Sequence, residues 1–436
     1  MILYFGTLNY GAILNPIFSG ESPENICRIV DMAKPTMILH DRDLNLESLR
    51  RKESEWIPFS DWTGRNKHPD DLFRRIDQLD FEFEDHCGTS EDVAEILYTS
   101  GTTSIPKGIL LTRKAMFLMV QEISERIGLT DTDKILEYRA YNWASAQLLS
   151  ILSSMMIGNT LFLGKKFSRS KFPDWLKRHD ITVSAGVPAV FSMMINEPVS
   201  VKREQVPHLR FITSSSAPLT KEIHLQFEAM YGIPINQMMG MSEAGWMAGN
   251  PPEARKIGSV GLPLKHKKIV FLNDENERCK PGQIGEMVVS GDSMGWCYYN
   301  EDGIRTEFPK EGFRTGDLGY MDEEGYIFIT GRKKDLIIRG GINISPMEIS
   351  SRLLDHAAVA EAATIGAPDQ IFGEEVVSIV ALKNGALVTP QELIFHCQKS
   401  LPDFKVPKKI IFVVSLPKNE RGKVSRDKLF QLLDQK

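Results

Sequence analysis

Val93-Ala-Glu-Ile-Leu97, running into Tyr98-Thr-Ser-Gly-Thr-Thr-Ser-Ile-Pro-Lys-Gly108, is a short apolar strand that opens into a loop of small, hydroxyl-bearing and cationic residues. Gly101 and Gly108 make the backbone pliable enough to turn its N–H groups toward an anion. The hydroxyls of Thr99, Ser100, Thr102, Thr103 and Ser104 add donors, and Lys107 adds a full charge. This is the composition of a loop that wraps a polyphosphate. It is not the Walker A pattern, because Lys107 precedes Gly108 and no hydroxyl follows. The same residues also read as a solvated turn, so the surrounding sequence has to decide.

Working outward, helical and strand periodicities alternate. A helix is expected over Ala115–Ile127, then strand Lys134–Glu137, helix Ala144–Met156, strand Thr160–Leu163, helix Phe172–His179 and strand Thr182–Ala185. Strand Leu209–Thr213, helix Lys221–Tyr231 and strand Ile235–Met239 continue the series. Short strands alternating with helices predict an α/β fold with largely parallel sheets. Residues 1–86 carry apolar helical patches and one strand, Thr36–His40. From about 257 to 330 the texture changes to glycine-punctuated strands (Lys268–Leu272, Gly285–Ser290, Tyr326–Thr330), which suggests a small antiparallel barrel. Beyond a charge run at Gly331–Asp335 lies a mixed segment: strand Leu336–Ile338, helix Pro346–Asp355, strand Val376–Leu382, helix Pro390–Leu401 and strand Ile410–Val414. A boundary at Lys333 or Lys334 divides a large domain, 1–333, from a smaller α+β domain, 334–436.

Composition narrows the function. The 436 residues allow two to three domains, and 42% hydrophobic with 25% charged residues is a soluble globular balance. A net charge of −5 and a pI near 6.1 give no electrostatic reason to expect nucleic acid or an anionic membrane as partner. Five cysteines lie far apart with no C-x-x-C, the pattern of reduced thiols in a cytoplasmic protein. The longest apolar region, Leu148–Ile157, is broken by Ser150, Ser153 and Ser154 and is too short to span a bilayer. The apolar opening Met1–Phe5 lacks the basic flank and cleavage site of a signal peptide.

Several short motifs could carry chemistry. Gly240-Met-Ser-Glu-Ala-Gly245 misses the nucleophile elbow G-x-S-x-G by one position. Ser242 there could hold a phosphate and Glu243 a Mg²⁺ ion, or the stretch could be a capped helix start. In Arg314-Thr-Gly-Asp317 the carboxylate could bind two ribose hydroxyls, or the motif could be a hairpin turn. Lys423, between Gly422 and Val424, could neutralise a phosphoryl transition state or be a solubilising charge. Trp143, Trp246 and Met239–Met241 could line an apolar pocket or belong to the core. No histidine spacing suggests a metal site.

The order and spacing of these motifs decide among the alternatives. Tyr98–Gly108, Gly240–Glu243, Thr315–Asp317, Gly331-Arg332 and Gly422-Lys423 together resemble the signature series of the adenylate-forming superfamily, on its acyl-CoA synthetase branch. The resemblance covers the whole chain. It implies a large N-terminal domain of stacked α/β subdomains with a small β-barrel, and a mobile α+β C-terminal domain. It also implies activation of a carboxylic acid with ATP to an acyl-adenylate and pyrophosphate, then transfer to the thiol of coenzyme A. Thr99, Ser100, Gly101, Thr102, Thr103 and Lys107 would grip the β- and γ-phosphates. Ser216, Ala217 and Pro218, with Gln237, Met238, Met239, Gly240 and Met241, would border the adenine. Ser242 would touch the α-phosphate, Glu243 with Thr102 would hold Mg²⁺, and Asp317 with Arg332 would bind the ribose. Lys423 would bridge the carboxylate, the α-phosphate and the ribose during adenylation. Lys334 would be the hinge, and Gly340-Gly341 would guide the pantetheine arm. Trp143, Ser214, Ser215 and Trp246 would shape the acyl pocket.

Departures from the pattern are also visible. Ser104 stands for a glycine, Met239 for the usual aromatic, Ser242 for a common threonine, and Ser215-Ser216 for a glycine pair. The gate position reads as Trp143 or Asn142. Relatives usually carry several dozen residues ahead of the segment matching Gly6–Pro16, so a shortened front is expected. Two further readings stay open: an adenylating enzyme that loads a separate carrier protein, and an inactive nucleotide-binding homologue. Neither the acid nor the oligomeric state is legible.

Overall fold

The computed structural model describes residues 2–18, 20–41, 54–59, 72–76, 88–98, 107–300, 303–418 and 423–434. The chain forms two compact units: residues 1–118, 140–144 and 293–309 in the first, and 119–139, 145–292 and 310–436 in the second.

In the first unit, Val93–Tyr98 and Gly108–Thr112 pair as antiparallel neighbours, so the anion-loop segment joins two strands of one sheet. Cys297–Tyr299 pairs with Gly108–Leu110 and Arg305–Glu307 extends the sheet, giving four strands drawn from two distant stretches. Ile96, Leu110 and Cys297 pack at its centre. Helix Pro23–Ala33 begins with Ser22 accepting a hydrogen bond from the Asn25 N–H, and buries Ile26, Ile29, Val30 and Met32 on one stripe. Strands Met37–Asp41 and Glu55–Phe59 pair in parallel.

The second unit is built on a seven-stranded sheet. Its spatial order is Leu262–Pro263, Gly245–Gly249, Ile235–Met241, Phe211–Ser214, Val183–Ser184, Lys134–Glu137, Thr160–Leu163. The last five strands are parallel, as the alternating pattern predicts, and the first two are added antiparallel. One face carries Leu136, Ile212 and Ile235 against Phe191 of helix Pro188–Asn196 and Phe227 of helix Lys221–Tyr231. The Phe191 and Phe227 rings meet edge-on at 4.9 Å, both fully buried; each such ring contributes about 1.5–3 kcal/mol by leaving water. Helix Lys221–Tyr231 starts at Thr220, whose hydroxyl accepts from the Ile223 N–H, and stops at Gly232, φ +69°.

Glu228 ties that helix to the sheet. It accepts from the Ile235 N–H at 2.7 Å and from Arg255 at 2.6 Å, and meets His224 Nε2 at 3.0 Å. Burial alone would raise its pKa, but these partners outweigh burial and hold the carboxyl at about 2. The folded value thus lies below the ordinary 4.5, so the ionised group contributes stability above about pH 4.5 that is lost as the pH falls toward 2. Urea midpoints of Glu228→Gln measured across that window should change less with pH than those of the unaltered protein. Equal slopes would remove Glu228 from the acid response.

The region expected to be barrel-like holds a four-stranded antiparallel sheet, Lys268–Leu272, Gly285–Ser290, Phe313–Met321 and Ile327–Arg332. After a 3₁₀ turn at Lys333–Asp335, the expected hinge position, comes a five-stranded sheet. It includes an eleven-residue strand, Val359–Asp369, that periodicity did not reveal. Helices Pro346–Leu354 and Pro390–Gln398 pack on it around Ile349, Leu353 and Leu393. Among the described residues, no helix is long and apolar enough to cross a membrane.

Candidate active site

The hairpin of strands Ile235–Met241 and Gly245–Gly249 presents Ser242 and Glu243 on its turn. The capped-helix alternative is therefore wrong, and glycine geometry gives the reason. A Cβ on Gly240 would lie 2.6 Å from the Gly245 carbonyl oxygen, and Gly245, at φ +59°, would press a Cβ to 2.5 Å from Met119 Sδ. Only glycines at both ends let the strand reverse so tightly. Glu243 is buried on this turn, and its neighbour Ser242 is half-exposed.

Arg314-Thr-Gly-Asp317 is not a hairpin turn either. It lies inside strand Phe313–Met321, where the pairing with Gly285–Ser290 bulges between Glu286 and Val288. Gly316 takes φ +72°, and Thr315 donates to the Met287 carbonyl at 3.0 Å while accepting from the Asp317 N–H at 3.0 Å. The bulge fixes Asp317 opposite Arg332 on the neighbouring strand, with Nε–Oδ1 at 2.7 Å. Burial raises the Asp317 pKa, while the charges of Arg332 and Lys423 pull against that rise without cancelling it. Lys423 thus lies within electrostatic reach of Asp317. Asp317 and Arg332, named from distant motifs, are thus brought together, and the charge of Lys423 bears on the Asp317 carboxyl.

The next group stands where the parallel strands end. Ser214 ends strand Phe211–Ser214, with Ser215, Ser216, Ala217 and Pro218 after it, and Gln237 is paired with Ser214 on the adjacent strand. Ligands of open α/β sheets bind beyond these carboxyl ends. Ser216 adopts φ +71°, a strained setting for a side-chain-bearing residue, at the position where the superfamily pattern has a glycine. Met238 is buried, and Met239 is half-buried. Trp246 is buried opposite Gly240.

Arg139 is a residue that the motifs did not reveal. Its Nη1 donates to Ser215 Oγ at 3.3 Å, and Nε and Nη2 fork onto Glu137 at 2.7–3.2 Å. Both side chains are almost wholly buried. The available signal was a pair of charges flanking Tyr138 at the end of an apolar strand, where a solvated loop would otherwise be assumed.

Lys107 and Trp143 belong to the first unit; Lys107 Nζ lies 5.2 Å from the centre of the Tyr298 ring. Thr99, Ser100, Gly101, Thr102 and Thr103 fall outside the described residues, as does Gly422. Lys334 sits in the 3₁₀ turn, its carbonyl accepting from Arg426 Nη1 at 3.3 Å while Arg426 also pairs with Asp335. Gly340 and Gly341, φ +57° and +81°, make the tight turn between strands Ile337–Arg339 and Ile342–Ile344.

Known proteins resemble this chain in sequence and in fold. The sequence profile of the AMP-binding enzyme family fits residues 1–299, and that of the AMP-binding enzyme C-terminal domain fits residues 348–423. The chain belongs to the AMP-binding enzyme family. This AMP-binding enzyme is 37% identical over 342 residues to the sulfoacetate–CoA ligase of Cupriavidus necator, an overlap of 77% of this chain and 66% of that protein. It is 35% identical over 343 residues to the oxalate–CoA ligase of Arabidopsis thaliana, with the same coverages of 77% and 66%. The overlaps thus span just under two thirds of these relatives. The fold of the AMP-binding enzyme superposes on the crystal structure of ATP-bound MatB from Rhodopseudomonas palustris with a TM-score of 0.90 at 27% identity, covering 99% of this chain and 86% of that one. The α/β adenylate-forming fold expected from the sequence is the fold observed.

Proposed function

We propose that this AMP-binding enzyme is an AMP-forming acid–CoA ligase, which joins a small carboxylic acid to AMP with release of pyrophosphate and then transfers the acyl group to the thiol of coenzyme A. The observation that carries the reading is the ion pair between buried Asp317 and exposed Arg332, with the charge of Lys423 bearing on the same carboxylate. A buried carboxylate with its own cation beside it suits a ribose, whose two hydroxyls can donate to Asp317. Lys423 then offsets the repulsion between an attacking carboxylate and an α-phosphate. Ser242 on the hairpin turn would contact that phosphate, and Ser216 through Pro218 with Gln237 through Met241 would frame the adenine. Thr99–Thr103 and Lys107 would hold the β- and γ-phosphates.

Among the described residues no three metal-ligating side chains cluster. Mg²⁺ in nucleotide sites takes one or two carboxylates with phosphate oxygens and water. Glu243, buried on its turn, is the carboxylate that would hold it, with Thr102 as second ligand; Mg²⁺ supplies charge neutralisation on the phosphates. The widely spaced thiols support a reducing compartment, the cytoplasm.

Two half-reactions with different nucleophiles call for two arrangements of one site. We take residues 334–436 as the moving domain and Lys334 as the pivot, with the Gly340-Gly341 turn approaching the pantetheine arm in the second arrangement. Proline at 334 fixes φ and biases Lys333 away from helical conformations. Lys334→Pro should keep acid-dependent ATP–pyrophosphate exchange within a few-fold of normal and lower CoA ester formation about tenfold or more. A normal yield of CoA ester would move the pivot elsewhere.

The deciding experiment is pyrophosphate release and AMP formation with a panel of acids, followed by CoA or a phosphopantetheinylated carrier protein as acceptor. Acid-dependent turnover to a CoA ester is the expected result. Transfer only to the carrier, or nucleotide binding without acid-dependent turnover, would overturn the reading.

A further inference from the structure

The two faces of the seven-stranded sheet differ in a way that its architecture does not require. The face bearing Leu136, Ile212 and Ile235 is packed with aliphatic and aromatic side chains. On the opposite face, by strand alternation and register, stand Glu137, Thr213 and Asn236, the last two directly paired. All three are fully buried. Facing Glu137 is the helical stretch 144–157, whose Ser150 donates to Glu137 at 2.6 Å. Gln147 and Ser154 of the same stretch are also buried. The stretch includes a π-helical turn, Gln147–Ile151, a distortion found often at functional sites.

A helix packed on a sheet normally meets it through apolar side chains. Here the polar groups are also incompletely used. Thr213 Oγ1, both amide atoms of Asn236, and Ser154 Oγ have no hydrogen-bond partner among the described residues. Native proteins seldom leave such groups unmatched, and where they do the group commonly faces a ligand or water. The Thr213 and Asn236 side chains share a sheet face with Glu137, whose partner Arg139 holds Ser215, at the strand ends where Ser214 and Ser215 would shape the acyl pocket.

We propose, resting on the acid–CoA ligase reading, that the acid activated here carries an oxygen-bearing polar group at its far end, which Thr213 and Asn236 recognise by hydrogen bonding. An unbranched aliphatic tail would leave these buried groups unmatched; a hydroxyl, carboxylate or sulfonate oxygen satisfies them. The Glu137–Arg139 pair beside them brings no net charge, and Arg139 Nη1, on Ser215, remains directed toward the same end of the strands.

The test compares butyrate, γ-hydroxybutyrate and succinate, similar in length, by kcat/KM for pyrophosphate release. At least one of the two polar acids should exceed butyrate by tenfold or more, and which of them leads tells whether the distal group is neutral or anionic. Thr213→Val removes the hydroxyl and keeps the shape, so the polar-to-butyrate ratio should fall about tenfold. Asn236→Leu should lower it further, and Thr213→Ser should preserve it. A purely structural role would change stability without moving the ratio. Preference for butyrate, or a ratio unmoved in both Thr213→Val and Asn236→Leu, overturns the proposal and leaves the ligase reading standing. Failure of every acid in the wider panel to release pyrophosphate overturns both.

Discussion

Lys423→Ala should lower acid-dependent ATP–pyrophosphate exchange by about 10²–10³-fold, the usual effect of removing one charge-stabilising donor from a reaction centre. Transfer to CoA from a supplied acyl-adenylate should stay within a few-fold of normal. The asymmetry follows from position. Lys423 is half-buried beside the bridge between Lys418 and Val424, and its charge reaches Asp317. On the proposed reading it would there serve the step in which two anions meet. The thiol step starts from an adenylate in which the carboxylate has already lost its charge, so the same cation has little left to offset. Lys423→Arg keeps the charge on a bulkier, planar group and should recover only part of the exchange rate. Equal loss of both half-reactions in Lys423→Ala would mean that the residue holds the fold or the nucleotide rather than the transition state.

The second large effect is on stability. Glu137→Ala leaves the Arg139 guanidinium buried with its strongest partner gone, and breaking one side of a buried ion pair costs about 3–5 kcal/mol. Glu137 also accepts from the Tyr138 and Arg139 N–H groups at 2.9 and 2.8 Å and from Ser150, so several donors are stranded together. Thermal unfolding of the variant should begin several degrees lower. Replacing both members, Glu137→Leu with Arg139→Met, should recover much of the loss, because an apolar pair needs no partner. A double variant as unstable as the single one would show that the backbone bonds to Glu137 matter more than its pairing with arginine.

Elements with a local signature were legible in the sequence. Helix Lys221–Tyr231 announces itself through Thr220 at its start and Gly232 at its end, and strands Lys134–Glu137 and Thr160–Leu163 fall where the apolar runs place them. Strand Val359–Asp369 was missed because Val-Ala-Glu-Ala-Ala-Thr-Ile-Gly-Ala-Pro-Asp is rich in alanine and carries a proline one residue from its end, a weak strand composition. What makes it a strand is ten residues of pairing with Gly373–Leu382, a tertiary effect. The turn at Ser242–Ala244 and the bulge at Thr315–Asp317 were ambiguous for a related reason. Glycine and small polar residues serve caps, turns and bulges alike, and only the neighbouring strands select one. Arg139 was invisible because nothing in Glu137-Tyr-Arg139 says that both charges are buried; that depends on Ser150 and Ser215, which the fold brings in from elsewhere.

Cys297–Tyr299 completes the sheet begun by Gly108–Thr112, yet Thr112 and Cys297 are 185 positions apart. At about 5–20 residues added per second, the ribosome takes roughly 10–40 s to supply the missing neighbour. Throughout that interval Gly108–Thr112 is an open edge, the kind of template that recruits stray strands. Nascent chains released before residue 309 should therefore clump or bind chaperones, and those released after it should not.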